Sequence, residues 1–290
     1  MMKYIPCLLI SLIIGSQLFY GLALLLDPEC GKRQFQLRIV DGVNAELNST
    51  PWMVFLHNYL QFLCGGSLIT REFVLTAAHC VMPIPKNLTA RLGEYDWRRE
   101  IDCKSEHTHT CAPKYEEYMV SRIYTHASYR SAGAYDIALL KLHKPVEYTD
   151  AIRPICLVTH NYDNQWYSIV NSAKEFNVTG WGATKTVPVS HILQTARLTQ
   201  IDRGVCHDQH RFSVDHTHIC AGNSNSFPCI GDSGSPLGME VQLNGRNVYA
   251  QVGLVSRGDK SCNGVTVFTN ILSFTEWITN TISYDGKYMS

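Results

Sequence analysis

The run Gly231-Asp232-Ser233-Gly234-Ser235-Pro236-Leu237 places a serine on a glycine-rich turn that can expose its hydroxyl. A serine hydroxyl is a weak nucleophile until a base takes its proton and a third group holds that base. The oxyanion formed by its attack needs aimed donors, and backbone N–H groups on such a turn supply them. The run therefore calls for a histidine and a carboxylate far away in the chain. Thr76-Ala77-Ala78-His79-Cys80 follows the apolar run Phe73-Val74-Leu75 and offers His79. Asp136 directly precedes Ile137-Ala138-Leu139-Leu140, a position where a carboxylate is bound for burial and expects a partner.

The elements that must bring these three residues together read as short strands. Residues 52–57, 73–76, 88–92, 117–125, 137–142, 176–179 and 196–201 are rich in β-branched and aromatic side chains. Residues 238–243 and 248–255 flank Asn244-Gly245, a type I′ hairpin signal. Strands at this spacing, with no helical periods between them, imply an all-β barrel or sandwich. Only the end of the chain is helical in pattern, with Ile271, Phe274, Trp277 and Ile278 on one face.

The order histidine, aspartate, serine is one of several that convergent triads adopt. Together with Ile39-Val40-Asp41-Gly42, Cys64-Gly65-Gly66-Ser67-Leu68 and Gly180-Trp181-Gly182, the chain resembles the chymotrypsin/trypsin family of secreted serine endopeptidases from residue 39 to about 280. Arg91-Leu92-Gly93-Glu94-Tyr95-Asp96 and Val267-Phe268-Thr269-Asn270 are in the style of insect trypsin-like proteases. The resemblance implies two six-stranded antiparallel β-barrels, with the site between them and a short C-terminal helix. It implies Ser233 as nucleophile, His79 as base and Asp136 as its orienting group, with the N–H groups of Gly231 and Ser233 as oxyanion hole. Ser256 stands where a serine helps to bind the substrate backbone. Cleavage between Arg38 and Ile39 would free an isoleucine amine to pair with Asp232, so the resemblance implies an inactive zymogen.

Several residues depart from the family pattern. Ser235 replaces a glycine after the nucleophile. Phe227 stands six residues before Ser233, where trypsin-like enzymes carry the aspartate that pairs with Lys or Arg. Of two glycines usual in the pocket walls, one matches Gly258 and the other aligns with Thr266, while Arg257 replaces the usual tryptophan at the pocket edge. The expectation is a shallow apolar pocket without Lys/Arg specificity, because a buried substrate cation would lack a counter-ion. The same departures leave open a second reading, a silent homologue that binds or regulates.

At 290 residues, with 45% hydrophobic content, the chain can bury a large core. Its formal net charge of zero gives no argument for nucleic acid or an anionic membrane. Lys3 and the apolar run from Ile5 to Leu18 read as a signal peptide over residues 1–23. A short propeptide over 24–38, a protease domain over 39–280 and a tail over 281–290 complete the expected organisation. The expected product is a secreted, extracellular monomer, off the membrane once the signal is removed. Its partners are protein or peptide substrates, an upstream activating protease and protein inhibitors.

Eleven cysteines, one of them in the signal, leave ten for disulfides in an oxidising compartment. The resemblance implies Cys64 with Cys80, Cys206 with Cys220 and Cys229 with Cys262. Cys30 then ties to Cys156 from before the domain, which leaves Cys103 with Cys111. His207, His210, His216 and His218, with His107 and His109, are read as loop histidines and not as a zinc site. Glu94 with Glu116 or Glu117 falls short of the oxygens a calcium ion wants, so no cofactor and no metal is expected beyond a weak calcium loop. The sequons at Asn48 and Asn87 read as exposed and glycosylated, and the one at Asn177 as buried.

Overall fold

The computed structural model describes residues 25–33, 43–59, 61–104, 110–130, 133–159, 165–184, 187, 189–223, 228, 231–243, 245–258 and 264–287. Arg38, Ile39, Phe227, Cys229, Cys262, His107, His109 and Asn244 lie outside the described residues.

The first six-stranded barrel is built from β2 (Met53–His57), β3 (Phe62–Leu68), β4 (Phe73–Thr76), β5 (Thr89–Leu92), β6 (Glu116–Thr125) and β7 (Ala138–Leu142). It closes in the order β2-β3-β4-β7-β6-β5, antiparallel throughout. The second uses β8 (Glu175–Gly180), β9 (Gln194–Gln200), β10 (His218–Gly222), β11 (Pro236–Leu243), β12 (Arg246–Arg257) and β13 (Val265–Asn270). Pairing of β8 with both β9 and β11 closes it, and β1 (Val43–Asn44) adds an edge on β9. Closure removes exposed sheet edges, which suits strands this apolar.

Each barrel has its own apolar core. The first centres on Leu56, Leu68, Val74 and Leu140, and the second on Phe176, Leu198, Ala250 and Phe268. A third cluster crosses the seam, where Trp52 and Phe55 of the first barrel meet Trp181, Tyr249 and Leu254 of the second. Trp52 stacks on Tyr249 at 4.8 Å between ring centroids, and Ser67 Oγ donates to Gln251 Oε1 at 2.7 Å in the same buried seam. Docking therefore buries a polar bond that only both barrels together can satisfy.

Two helices were not anticipated from the sequence. In α1 (Gln165–Ser172), Trp166 and Val170 repeat at i, i+4 and are buried in the second core. In α2 (Arg203–His210), Asp202 caps the N-terminus by accepting from Gly204 N at 2.7 Å, and buried Cys206 anchors the helix. Among the strands, β1, β3, β10 and β13 went unread, and of these β3 and β10 carry glycine, a weak strand former. A Cβ on Gly66 would stand 3.1 Å from Leu75 O, so close backbone approach holds that position.

The chain end is a 3-10 turn, Ile271–Phe274, running into α3 (Thr275–Lys287), which carries ordered structure past residue 280. Asp285 near its end is 1% exposed and is bonded to Lys141 Nζ and Tyr124 OH, with Arg122 Nη1 at 3.1 Å. At the other end of the chain, residues 25–33 are tied down by Cys30–Cys156, by Gly31 N donating to Pro154 O at 2.8 Å, and by Tyr148 OH donating to Asp27 at 2.6 Å. Arg33 pairs with Glu240 and lies 4.9 Å from the centroid of the Tyr249 ring.

Burial alone would raise the Asp285 pKa, but hydrogen bonds and charge from Lys141, Tyr124 and Arg122 outweigh it and hold the carboxyl below its usual range. Asp285→Asn is expected to cost about 3 kcal/mol in urea unfolding at neutral pH, because the buried Lys141 ammonium loses its nearer carboxylate, Glu72 standing at 3.7 Å. A depressed folded-state pKa means that this stability is present above the unfolded value of about 4 and is lost as pH falls through the folded one. The gap between wild type and variant should therefore narrow on acidification. A gap independent of pH would show that the carboxylate charge contributes nothing.

Candidate active site

Strand register brings His79 and Asp136 together. In the β4–β7 pair, Thr76 lies opposite Ala138, so the turn after Thr76 and the residue before Ile137 meet at one barrel end. His79 sits in a 3-10 turn, Ala78–Cys80, and the disulfide from Cys80 to Cys64 ties that turn to β3. Asp136 is 2% exposed. Its Oδ1 accepts from the His79 backbone N–H at 2.9 Å, and its Oδ2 lies 2.7 Å from His79 Nδ1. With Nδ1–H donating to the carboxylate, Nε2 is left as the acceptor.

The second barrel completes the shell around this carboxylate. Ser256 Oγ donates to Asp136 Oδ2 at 2.6 Å, and Thr269 Oγ1 donates to the Asp136 backbone oxygen at 2.9 Å. Ser256 falls at a β-bulge, between Val255 opposite Phe268 and Arg257 opposite Val267. A bulge re-aims the side chain it carries, and here it turns the hydroxyl toward the first barrel. Sequence reasoning had Ser256 only as a binder of substrate backbone, and missed Thr269 altogether.

The turn carrying Ser233 docks against the His79 turn. Gly231 (φ 98°) and Gly234 (φ 77°) take left-handed conformations that favour glycine. A Cβ on Gly234 would stand 2.2 Å from Thr76 Oγ1 and 2.5 Å from Gly65 O. Ser233 O accepts from Gly65 N at 2.9 Å, which pins the turn to β3. Asp232 is buried, and its Oδ1 accepts from Gly182 N at 2.8 Å. Cβ atoms on Gly180 and Gly182 would each fall 2.2 Å from an Asp232 carboxylate oxygen, the physical reason for glycines on both sides of Trp181.

Ser235 is fully buried beside this turn, and its hydroxyl has no hydrogen-bond partner among the described residues. It fits because a Cβ on Gly65 would lie 2.0 Å, and one on Gly180 2.9 Å, from its oxygen. The departure from glycine is thus accommodated by missing side chains opposite.

The other candidates divide. Thr266 is buried on β13, with its Oγ1 3.9 Å from where Gly258 would carry a Cβ. Disulfides join Cys30 to Cys156, Cys64 to Cys80, Cys103 to Cys111 and Cys206 to Cys220. His207 and His210 lie on α2 and His218 is buried on β10, not in loops as expected, and His207 Nδ1 and His210 Nε2 contact the carbonyl oxygens of Phe212 and Val265. Cys64, His79 and Cys80 form the one metal-like cluster among the described residues, but both sulfurs are committed to a disulfide. Arg91 bonds Glu94 and Glu117, while Glu116 accepts from Tyr118 OH, so these carboxylates are already engaged. Asn87 is exposed as expected, but Asn48 is half-buried and not exposed, and Asn177 is half-buried in β8 and not buried.

A family model described as Trypsin matches residues 39–278. The chain belongs to the trypsin family of serine-type endopeptidases. Serine protease grass of Drosophila melanogaster is 33% identical over 273 residues, covering 89% of this chain and 71% of that protein. Melanization protease 1 of the same organism is 35% identical over 275 residues, covering 88% and 68%. Among solved structures, the crystal structure of the Drosophila Grass clip serine protease of the Toll pathway superposes with a TM-score of 0.78 at 32% identity, covering 88% of this chain and 74% of that one. Family membership agrees with the closed barrels and with the meeting of His79, Asp136 and the Ser233 turn at their seam.

Ser235→Ala should remove an unpaired buried hydroxyl and keep its Cβ, stabilising the protein by about 1 kcal/mol. The melting temperature should rise by about 2–4 °C in a scanning calorimeter. A fall would mean that the hydroxyl has a partner in solution.

Proposed function

We propose that the chain is a secreted serine endopeptidase, made as a zymogen and activated by cleavage between Arg38 and Ile39. The observation that supports this best is the buried Asp136 carboxylate holding His79 in the tautomer a general base requires, beside the glycine turn that carries Ser233. In this reading Ser233 attacks the scissile carbonyl, His79 Nε2 takes its proton and returns it to the leaving amine, and Asp136 stabilises the imidazolium. The N–H groups of Gly231 and Ser233 hold the oxyanion. Asp232, buried against Gly182 beside this turn, receives the new Ile39 amine and fixes the turn.

Segment 25–33 would stay attached after the cut through Cys30–Cys156, so the active form is two chains in one molecule. The buried side chain of Arg33, stacked on Tyr249, makes the Lys32-Arg33 pair a poor cleavage site beside Arg38. Relatives are named Spaetzle-processing enzyme and Phenoloxidase-activating enzyme 1, names that describe action on other proteins. By likeness, the substrate here is a protein and an upstream protease makes the activating cut. The disulfides suit an oxidising, extracellular setting, no helix among the described residues is long and apolar enough to cross a membrane, and Asn87 is the better-placed glycan site. The protein would act as a monomer open to protein inhibitors, with no metal or cofactor in its chemistry. A silent, binding homologue is the competing reading, favoured only by the departures at Ser235, Phe227 and Arg257.

The deciding experiment is labelling by a fluorophosphonate probe before and after trypsin treatment. The probe should label only protein cut at Arg38, and neither Arg38→Gln nor Ser233→Ala should label. Loss of labelling in Ser233→Ala should accompany a loss of several orders of magnitude in peptide turnover. Labelling of uncut Arg38→Gln would sink the zymogen reading, and no labelling of cut wild type would favour the silent homologue.

The pocket supports a preference for small or medium apolar residues before the cut. Thr266 faces the Gly258 position, which also lies 3.2 Å from Pro228 O when given a Cβ, so the gap is narrow. Apolar pockets discriminate weakly, by about 1–3 kcal/mol per methylene. For matched peptides ending in Ala or Arg, kcat/KM should favour Ala. An Arg preference above about tenfold would place a carboxylate at the pocket floor that this reading lacks.

A further inference from the structure

Strand β12 leaves the catalytic seam at Arg257. The residue before it, Ser256, bonds Asp136 at 2.6 Å, so Arg257 stands one peptide unit from the catalytic hydrogen-bond network. Arg257 is exposed, and its guanidinium carbon lies 5.4 Å from the centroid of the Phe212 ring. No hydrogen bond or ion pair reaches Arg257 among the described residues. Phe212 is itself held, edge-on to His218 at 5.6 Å and to His210 at 6.3 Å between centroids. A Cβ on Gly133, three residues before Asp136, would touch the same Phe212 ring at 3.9 Å. The cation and its aromatic support thus border the catalytic seam from the second barrel.

This arrangement fixes a charge without neutralising it. An arginine stacked on an aromatic face keeps all its donors and has lost part of its rotamer freedom in advance. Binding a carboxylate there costs less ordering than a free arginine would demand. Asp215, an acid on the same lobe, is occupied: it accepts from Thr217 N at 2.9 Å and Thr217 Oγ1 at 2.6 Å, and contacts His218 at 3.1 Å. The resemblance puts Ser256 where a serine helps to bind the substrate backbone, and Arg257 follows it at the pocket edge, within a side chain's reach of the bound peptide. A tryptophan there would offer an apolar face, whereas a guanidinium with no ion pair among the described residues offers a fork that matches a carboxylate.

We propose that Arg257, set on Phe212, makes this protein select substrates with Asp or Glu two to four residues before the scissile bond. The inference rests on the protease reading, and concerns a residue that positions substrate.

The test uses full-length protein cut at Arg38, with active sites titrated by fluorophosphonate. Peptide mixtures carry every residue at the position before the cut, and Glu, Gln or Lys at the second, third or fourth position before it. Glu should exceed Gln by about fivefold in kcat/KM at one of these positions, the scale of a partly exposed ion pair. In about 1 M salt, where the Debye length is near 3 Å, the preference should collapse. Arg257→Glu, a change at an exposed site, should reverse it toward Lys, and Arg257→Trp should abolish it. Titratable enzyme that turns over Glu and Gln peptides within about twofold at all three positions overturns the inference alone. So does a Glu preference that survives in Arg257→Glu. Absence of titratable sites overturns the protease reading and this inference with it.

Discussion

The structure turns on one buried carboxylate. Asp136 is almost wholly removed from water, and an ion in that position is costly unless its oxygens are filled by donors. The donors come from both barrels: the backbone and ring of His79 from the first, and the Ser256 hydroxyl from the second. Neither barrel alone can satisfy it. The same carboxylate that sets the histidine tautomer therefore also rewards correct docking of the two halves. Thr269, bonded to the Asp136 carbonyl, extends this coupling to the backbone.

The turn that carries Ser233 obeys a different constraint, which is space. Gly65, Gly180, Gly182 and Gly234 each face an atom closer than any real side chain would allow. Their bare Cα atoms let three segments from two barrels converge on Asp232 and Ser233. Ser235 is the one side chain admitted, and it takes room left by Gly65 and Gly180 at the expense of an unpartnered hydroxyl. Tight packing of this kind transmits displacement, so a change at Asp232 moves the turn that carries Ser233.

Both ends of the described chain act as ties across the fold. Residues 25–33 reach Tyr148 of the first half and Tyr249 of the second, by hydrogen bond and cation–π contact. At the other end, α3 closes the seam core with Ile278 and brings Asp285 onto Lys141 of β7. The ion cluster at Asp285 lies on the strand that Asp136 precedes, so the terminal helix also anchors one arm of the site.

The residue types and motif order of the chain determined by themselves which side chains form the candidate site and which family the fold belongs to. A serine in a glycine turn calls for a base and an orienting carboxylate, and the motifs that carry the family resemblance offered His79 and Asp136. Strand periodicity placed β4, β6, β7 and β12 within about two residues. What stayed hidden was non-local. The strands β3 and β10 contain glycines whose purpose is contact with segments far along the chain, and α1 and α2 are short helices whose anchors only count once a core exists. The bulge that turns Ser256 toward Asp136 is a property of pairing between β12 and β13, and no local pattern announces it. The same is true of the platform under Arg257. The sequence shows an arginine where a tryptophan is usual, but only the tertiary structure sets Phe212 beneath it, because side chains about 45 residues apart meet only when the second barrel closes.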